Sequence, residues 1–338
     1  MSILSRKINY LAKNNYKITI LSVINHEHTF YNISEDVNII SIGSKSGLIP
    51  KIISFIKFIR NNAFDIIVSV DARYITWILP YVTNVPIVAE VHQSYDGLKD
   101  YYKRASLSSL NQLFHSILFR WTYPKYDRMI VLTEEDKTKW NYKNIEVIPN
   151  FHNLSTNKLN IPKKKIVCLG RFHHQKGYDM MIEIWKIVAC RFPDWLLCYY
   201  GDESNDFVVS ELSKYKAPVS FKIMGKVNDL DAIFSDAYIN IVPSRSESFS
   251  LSLLEAMCYG VPTVSFDTTG PKSLIINNHN GVLIKSYDIK ASANAIISLI
   301  NNIETRQLYS NNCLLLANNY TQSTIMGKWI NLYNSLLR

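Results

Sequence analysis

PSRSESFSLSLLEAMCYGVP, residues Pro243 to Pro262, carries the chain out of a strand, into a helix and out again. The apolar run ending at Val242 reads as a strand, and Ser244 and Ser246 precede a helix predicted over Phe249–Cys258. Gly260 and Pro262 supply its stop. Glu247 then lies just before the helix and Glu255 two turns in, and at about 100° per residue the two return to roughly one face. Amides at such a helix start, around Ser248, Phe249, Ser250 and Leu251, stabilise an anion. A pyrophosphate there would have Glu255 below it for ribose or sugar hydroxyls and Glu247 beside a sugar. Taken alone, the two glutamates read more often as a helix-start charge and a solvated side chain.

Upstream, KIVCLG ends at Gly170, and Gly177 opens the helix that begins at Tyr178-Asp179. Arg171 and Lys176 share this strand-to-helix loop. They can hold a diphosphate, Arg through a bidentate fork and Lys as a point charge, though an ordinary basic loop fits equally well. Further outward, short β-branched runs alternate with helical stretches: Lys17–Val23, Asp65–Val70, Pro86–Val91, Arg128–Leu132 and Asn144–Ile148, then Lys165–Leu169, Leu196–Tyr200, Ser220–Met224, Tyr238–Val242 and Pro262–Ser265. Alternation of this kind predicts an α/β protein of parallel sheets covered by helices. The restart after Pro149-Asn150 and the polar stretch from His152 to Lys165 divide it into two Rossmann-like doubly wound domains, 1–151 and 152–320, with a ligand cleft between the carboxyl ends of their sheets.

The 338 residues suit two domains, and 47% hydrophobic with 19% charged residues is the composition of a packed protein. No stretch reaches the roughly 20 apolar residues of a membrane span, and Met1 to Asn15 lacks the apolar core of a signal peptide. Five scattered cysteines (Cys168, Cys190, Cys198, Cys258, Cys313) form neither a zinc motif nor a disulfide framework, which fits a reducing, cytoplasmic setting. The net charge of +9 points to a phosphorylated substrate, an anionic membrane surface or nucleic acid. Zinc-finger, RNA-binding and basic-zipper patterns are all missing, so no nucleic-acid partner is expected.

Together these segments resemble the retaining glycosyltransferases of GT-B fold, glycosyltransferase family 4. That group carries a G-R-x(4)-K-G loop, here Gly170, Arg171, Lys176 and Gly177. It also carries P-S-x-x-E-x(7)-E, here Pro243, Ser244, Glu247 and Glu255. Gly201 with Asp202 after a strand, MGKVND from Met224 through Val227 to Asp229, GPKSLI and NGVLI match in order. AEVHQSYD around His92 and VLTEEDKTKW, Val131 to Trp140, resemble bacterial members acting on capsule, lipopolysaccharide or exopolysaccharide. The resemblance implies that Arg171 and Lys176 neutralise the donor diphosphate and Glu255 binds the ribose. It places the nucleotide base near Met224 and Val227, with Gly201 nearby. Glu247 would stabilise an oxocarbenium-like sugar, and His92 would approach that sugar from the other domain. It further implies a nucleotide-diphosphate sugar, UDP-sugar favoured, as substrate, a glycan or lipid-linked acceptor, no cofactor and no metal, since cations and helix amides replace a metal ion at the leaving phosphate.

The chain opens on the helix Ile3–Asn14, so an N-terminal domain without the family's first strand and its glycine-rich loop is expected, as is a late start or a catalytically impaired relative that only binds nucleotide. Ser250 stands where the family has Gly or Pro. Ala105–Trp121 places Leu107, Leu110, Phe114, Ile117, Leu118 and Trp121 at helical spacing behind Lys99, Lys103 and Arg104. Ile52–Ile59 with Lys51, Lys57 and Arg60 repeats the pattern more weakly. Either stripe covers the sheet or meets the inner face of an anionic cytoplasmic membrane. The helix 321–338 is expected to cross back onto the first domain.

Overall fold

The computed structural model describes residues 3–22, 32–42, 47–70, 77–98, 121–155, 160–201, 205–227, 229–285 and 287–337. The first half runs α1 (Ile3–Lys13), β1 (Thr19–Ser22), β2 (Asn38–Ser41), α2 (Leu48–Asn61), β3 (Ile67–Val70), β4 (Ile87–Glu90), β5 (Arg128–Val131), α3 (Glu134–Trp140) and β6 (Ile145–Val147). The second runs β7 (Lys165–Leu169), α4 (Tyr178–Arg191), β8 (Leu196–Tyr200), α5 (Asp206–Lys214), β9 (Phe221–Gly225), α6 (Leu230–Phe234), β10 (Ile239–Val242), α7 (Leu251–Cys258), β11 (Thr263–Phe266), α8 (Thr269–Leu274), β12 (Gly281–Ile284), α9 (Ile289–Asn301), α10 (Ile303–Ala317) and α11 (Gln322–Leu336).

The second half forms one six-stranded parallel sheet in the order β12-β11-β10-β7-β8-β9. Its inner strands are buried on both faces. Along β7, Ile166 and Cys168 enter one apolar cluster and Val167 the other, and β8 divides Leu197 and Tyr199 from Cys198 and Tyr200 in the same way. Two-sided burial is why these strands read as continuous apolar runs rather than alternating ones. The chain winds outward from β7 through β8 to β9, then returns to place β10 on the other side of β7. That reversal opens a crevice at the carboxyl ends of β7 and β10, where doubly wound sheets hold ligands. The loops 170–177 and 243–250 both leave from it.

In the first half the parallel sheet is split. Among the described residues β1 pairs with β2 alone, and β3-β4-β5-β6 form a separate four-stranded sheet. Both pieces nonetheless share the same two covering layers. Leu21 and Ile67 pack with Phe55 and Ile59 of α2, whereas Ile18, Ile66 and Val68 pack with Leu11 of α1 and Trp329 of α11. Among the described residues no strand joins β1 to β3.

Several details differ from the sequence reading. β2 and β12 were not anticipated as strands: β2 is largely exposed, and β12 lies at the sheet edge. Strand Ser220–Met224 is observed as Phe221–Gly225, and of Lys17–Val23 only Thr19–Ser22 is strand, Val23 lying outside the described residues. The amphipathic stretch from Ala105 also lies outside them, as do Lys99, Lys103, Arg104 and Asp202. Trp121, at its end, is exposed. All five cysteines are free thiols, and no described helix is long and apolar enough to cross a membrane.

Helix α11 buries Ile325, Met326, Trp329, Leu332 and Tyr333 against Val88 of β4 and Ile130 of β5, so the end of the chain packs on the first sheet. Met326→Ala, at a fully buried position, is expected to cost about 2–5 kcal/mol. Urea denaturation followed by tryptophan fluorescence measures it, and a loss below about 1 kcal/mol would contradict this packing.

Candidate active site

Two loops at the switch point define the site, and their backbones are in contact. Gly177 has φ of +72°, and a Cβ there would lie 1.9 Å from the Pro243 carbonyl oxygen. Only glycine allows this approach. Side chains then stitch the loops together. The Arg245 guanidinium donates to both Asp179 oxygens at 2.7 and 2.5 Å and to the His174 carbonyl at 2.6 Å. The Arg245 amide donates to the Gln175 carbonyl at 2.8 Å, and the Gln175 side-chain amide donates to the Ser246 carbonyl at 3.1 Å.

This clamp brings Lys176 to Glu247. The Lys176 ammonium donates to Glu247 Oε1 at 2.6 Å, and the Ser244 hydroxyl donates to the same oxygen at 2.9 Å. Glu247 is 9% exposed, so its charge is compensated by a partner rather than by water. Gly170 lies under the Lys176 alkyl chain, while Arg171 on the same loop has an exposed side chain, its carbonyl accepting from the Tyr199 hydroxyl at 2.5 Å and from the His173 amide at 2.8 Å. The structure therefore unites Gly170, Lys176, Gly177, Ser244 and Glu247, and leaves the Arg171 side chain at the rim.

Helix α7 begins at Leu251, two residues later than expected. Glu247 to Ser250 stay out of the helix because the Gly270 amide donates to the Glu247 carbonyl at 2.8 Å and Phe249 is buried beside the Tyr320 ring. Glu255 consequently sits one turn into α7, not two. Burial pushes its carboxyl up to about 7, with the Arg6 charge on α1 opposing the shift. The helix ends in a Schellman closure at Gly260: the Val261 amide donates to Ala256 and the Gly260 amide to Met257, both at 3.0 Å.

The remaining donor-side residues line the neighbouring loops. The Gly201 amide donates to the Gly225 carbonyl at 2.9 Å, joining the ends of β8 and β9. Exposed Met224 and partly buried Val227 flank that junction. Across the cleft, the Ser94 amide donates to the Ser248 hydroxyl at 2.8 Å, so Ser248 contacts the first domain. The Tyr95 amide donates to Asp136 at 2.9 Å, which anchors the loop after β4 to the start of α3. His92 stands at the base of this loop, its Nε2 at 3.1 Å from Glu90. Sequence reasoning missed Arg245, Asp179, Gln175 and Glu90. All four lie inside or beside stretches that the sequence singles out, but nothing in their spacing shows which partner each one meets.

Against this geometry the chain is similar to known proteins along nearly its whole length. Residues 5–156 match the family described as Glycosyltransferase Family 4, and residues 153–313 match Glycosyl transferases group 1. An uncharacterized glycosyltransferase of Haemophilus influenzae is 25% identical over 95% of this chain and 92% of its own length. The amylovoran biosynthesis glycosyltransferase AmsD of Erwinia amylovora is 22% identical over 96% and 92%. Among solved structures, HepE of Anabaena in complex with UDP superposes with a TM-score of 0.73 at 15% identity, covering 88% of this chain and 86% of that one.

Because of this contact, Gly177→Ala is expected to destabilise the protein by more than Gly225→Ala. Gly225 also has positive φ, +76°, but nothing lies within 4 Å of its would-be Cβ. The Gly225 change should cost only the left-handed strain of about 1–2 kcal/mol, and the Gly177 change that plus the clash. Thermal unfolding compares them, and equal losses would contradict the contact. With its N-terminal half matched by the one family and its C-terminal half by the other, the chain is a GT-B-fold glycosyltransferase, with a family 4 N-terminal domain and a group 1 C-terminal domain.

Proposed function

We propose that this glycosyltransferase is a retaining enzyme that transfers a sugar from a nucleotide-diphosphate donor, a UDP-sugar by preference, to a glycan or lipid-linked acceptor of a bacterial surface polysaccharide. The observation that carries the proposal is the meeting of Lys176 and Glu247 at the switch point, beside the start of α7. A diphosphate at that helix start would meet backbone amides and draw the Lys176 ammonium, with Arg171 free to close over it from the rim. Glu247 would lie against the sugar, where its carboxylate favours the positive charge that develops as the C1–O bond breaks. The departing phosphate oxygen would take the acceptor's proton on the same face. Lys176, Arg171 and the helix amides together supply positive charge for the leaving group without a metal ion. Glu255 would take ribose hydroxyls, with the base toward Met224 and Val227.

The polysaccharide assignment rests on AmsD, an amylovoran biosynthesis glycosyltransferase by name, and the UDP preference on the fold shared with UDP-bound HepE. An acceptor carried on lipid would suit a protein that settles on the inner face of the cytoplasmic membrane. Helix α2 buries Phe55 and Ile59 but exposes Leu48, Ile49 and Ile53 beside Lys57 and Arg60, a basic apolar face of the kind that rests on anionic lipid.

Transfer or hydrolysis measured over a panel of UDP-, GDP- and ADP-sugars tests the reading. Turnover with at least one donor, abolished in Glu247→Ala, is expected, whereas binding of UDP without turnover of any donor would show a nucleotide binder instead. A pH series adds an electrostatic check. Ribose hydroxyls donate to the ionised form of Glu255, whose carboxyl titrates at about 7 in the empty site, so UDP-glucose should bind more tightly as pH rises from 6 to 8. The diphosphate of UDP-glucose takes up no proton in that range. The slope should vanish in Glu255→Gln, and calorimetry would refute the assignment if it persisted there.

A further inference from the structure

Glu90, at the carboxyl end of β4, is buried, which is an unfavourable place for a carboxylate without partners. Its partners come from α1 and from the loop that directly follows β4. The Lys7 ammonium of α1 donates to Glu90 Oε2, and His92 Nε2 lies 3.1 Å from Oε1. Lys7 is itself buried, and its Nζ sits 3.6 Å above the centre of the Trp329 ring of α11. Tyr333, one turn further along α11, is also close enough to feel the Glu90 charge. Burial alone would raise the Glu90 carboxyl, but Lys7 and His92 outweigh it and hold it at about 2. The carboxylate is thus fixed as an anion, with one oxygen on the Lys7 ammonium and the other on the His92 imidazole.

We propose that Glu90 is a positioning residue for His92: its carboxylate, locked by Lys7 and through Lys7 by Trp329, sets the orientation and tautomer of the imidazole at the wall of the cleft. A carboxylate at Nε2 selects the form in which that nitrogen carries the proton. The ring lies two residues from Ser94, which touches the donor loop at Ser248. Helices α1 and α11, distant in sequence, thereby hold one side chain of the site. The catalytic relevance rests on the transferase reading above; the orientation itself does not.

The test is therefore read without substrate. In the full chain labelled with 15N-histidine, the His92 signal is identified by its loss in His92→Gln. Its long-range proton–nitrogen pattern should show a protonated Nε2 at neutral and alkaline pH. The midpoint of the ring titration should fall by about one pH unit in Glu90→Gln, which removes the anion. It should rise in Lys7→Met, which keeps the packing on Trp329 but leaves the Glu90 charge to His92 alone. Opposite shifts support the proposal. Unchanged midpoints in either folded variant, or a neutral ring at alkaline pH that carries its proton on Nδ1 in the unsubstituted protein, overturn it. If Glu90→Gln does not fold, Lys7→Met and the tautomer decide. On a donor found by the panel above, Glu90→Gln should lower kcat about tenfold with KM little changed, and Glu90→Asp should recover part of it. Loss of neither would confine Glu90 to a structural role.

Discussion

The Pro243 carbonyl resting against the α-carbon of Gly177 is the contact on which the site depends. It joins the loops leaving β7 and β10, the two strands between which the winding of the sheet reverses. Without that approach, Lys176 could not reach Glu247, and the Arg245 fork could not span Asp179 and the His174 carbonyl. Each of these charged groups is partly or wholly buried, so each needs its partner, and the partners are available only because the backbones touch. The site is therefore built as one rigid corner of the C-terminal sheet, with the N-terminal loop after β4 laid over it through Ser94 and Ser248.

The two carboxylates of this corner are placed in different electrical settings. Glu247 has a lysine and a serine hydroxyl on one oxygen, whereas burial with little compensation holds Glu255 near neutrality. Such separation is common where a fold gives like groups different tasks. It also costs stability. A carboxyl whose titration is raised in the folded state disfavours folding increasingly as pH climbs from its unfolded value toward 7, and the cost persists above 7. A ligand that offers hydroxyl donors to Glu255 recovers part of that energy on binding.

Much of this was legible in the residues. The alternation of apolar runs and helices gave the parallel α/β architecture, because buried parallel strands carry an unbroken apolar signature. Gly170, Lys176, Gly177, Glu247 and Glu255 stood out because two local motifs, each a strand end, a turn and a helix start, resemble a known family in the same order; their spacing alone fitted an ordinary loop and helix start equally well. What escaped was non-local. Lys7 and Glu90 are 83 residues apart, and Arg245 and Asp179 are 66 apart; no periodicity in one chain links them. The start of α7 was misplaced because Phe249 looks helical in sequence, whereas the Gly270 amide and the Tyr320 ring hold it in the preceding loop. β2 was overlooked because its exposed, polar-tipped residues lack the pattern of a buried strand.

The central claim is that the corner formed by Gly177 and Pro243 is the seat of a nucleotide diphosphate. A crystal structure of the protein soaked with UDP tests it directly. The account predicts the diphosphate at the start of α7 within hydrogen-bonding distance of Lys176, the ribose hydroxyls on Glu255 and the base beside Met224 and Val227. UDP seated elsewhere, or a diphosphate that leaves the Lys176–Glu247 pair untouched and contacts neither the start of α7 nor Glu255, would contradict it.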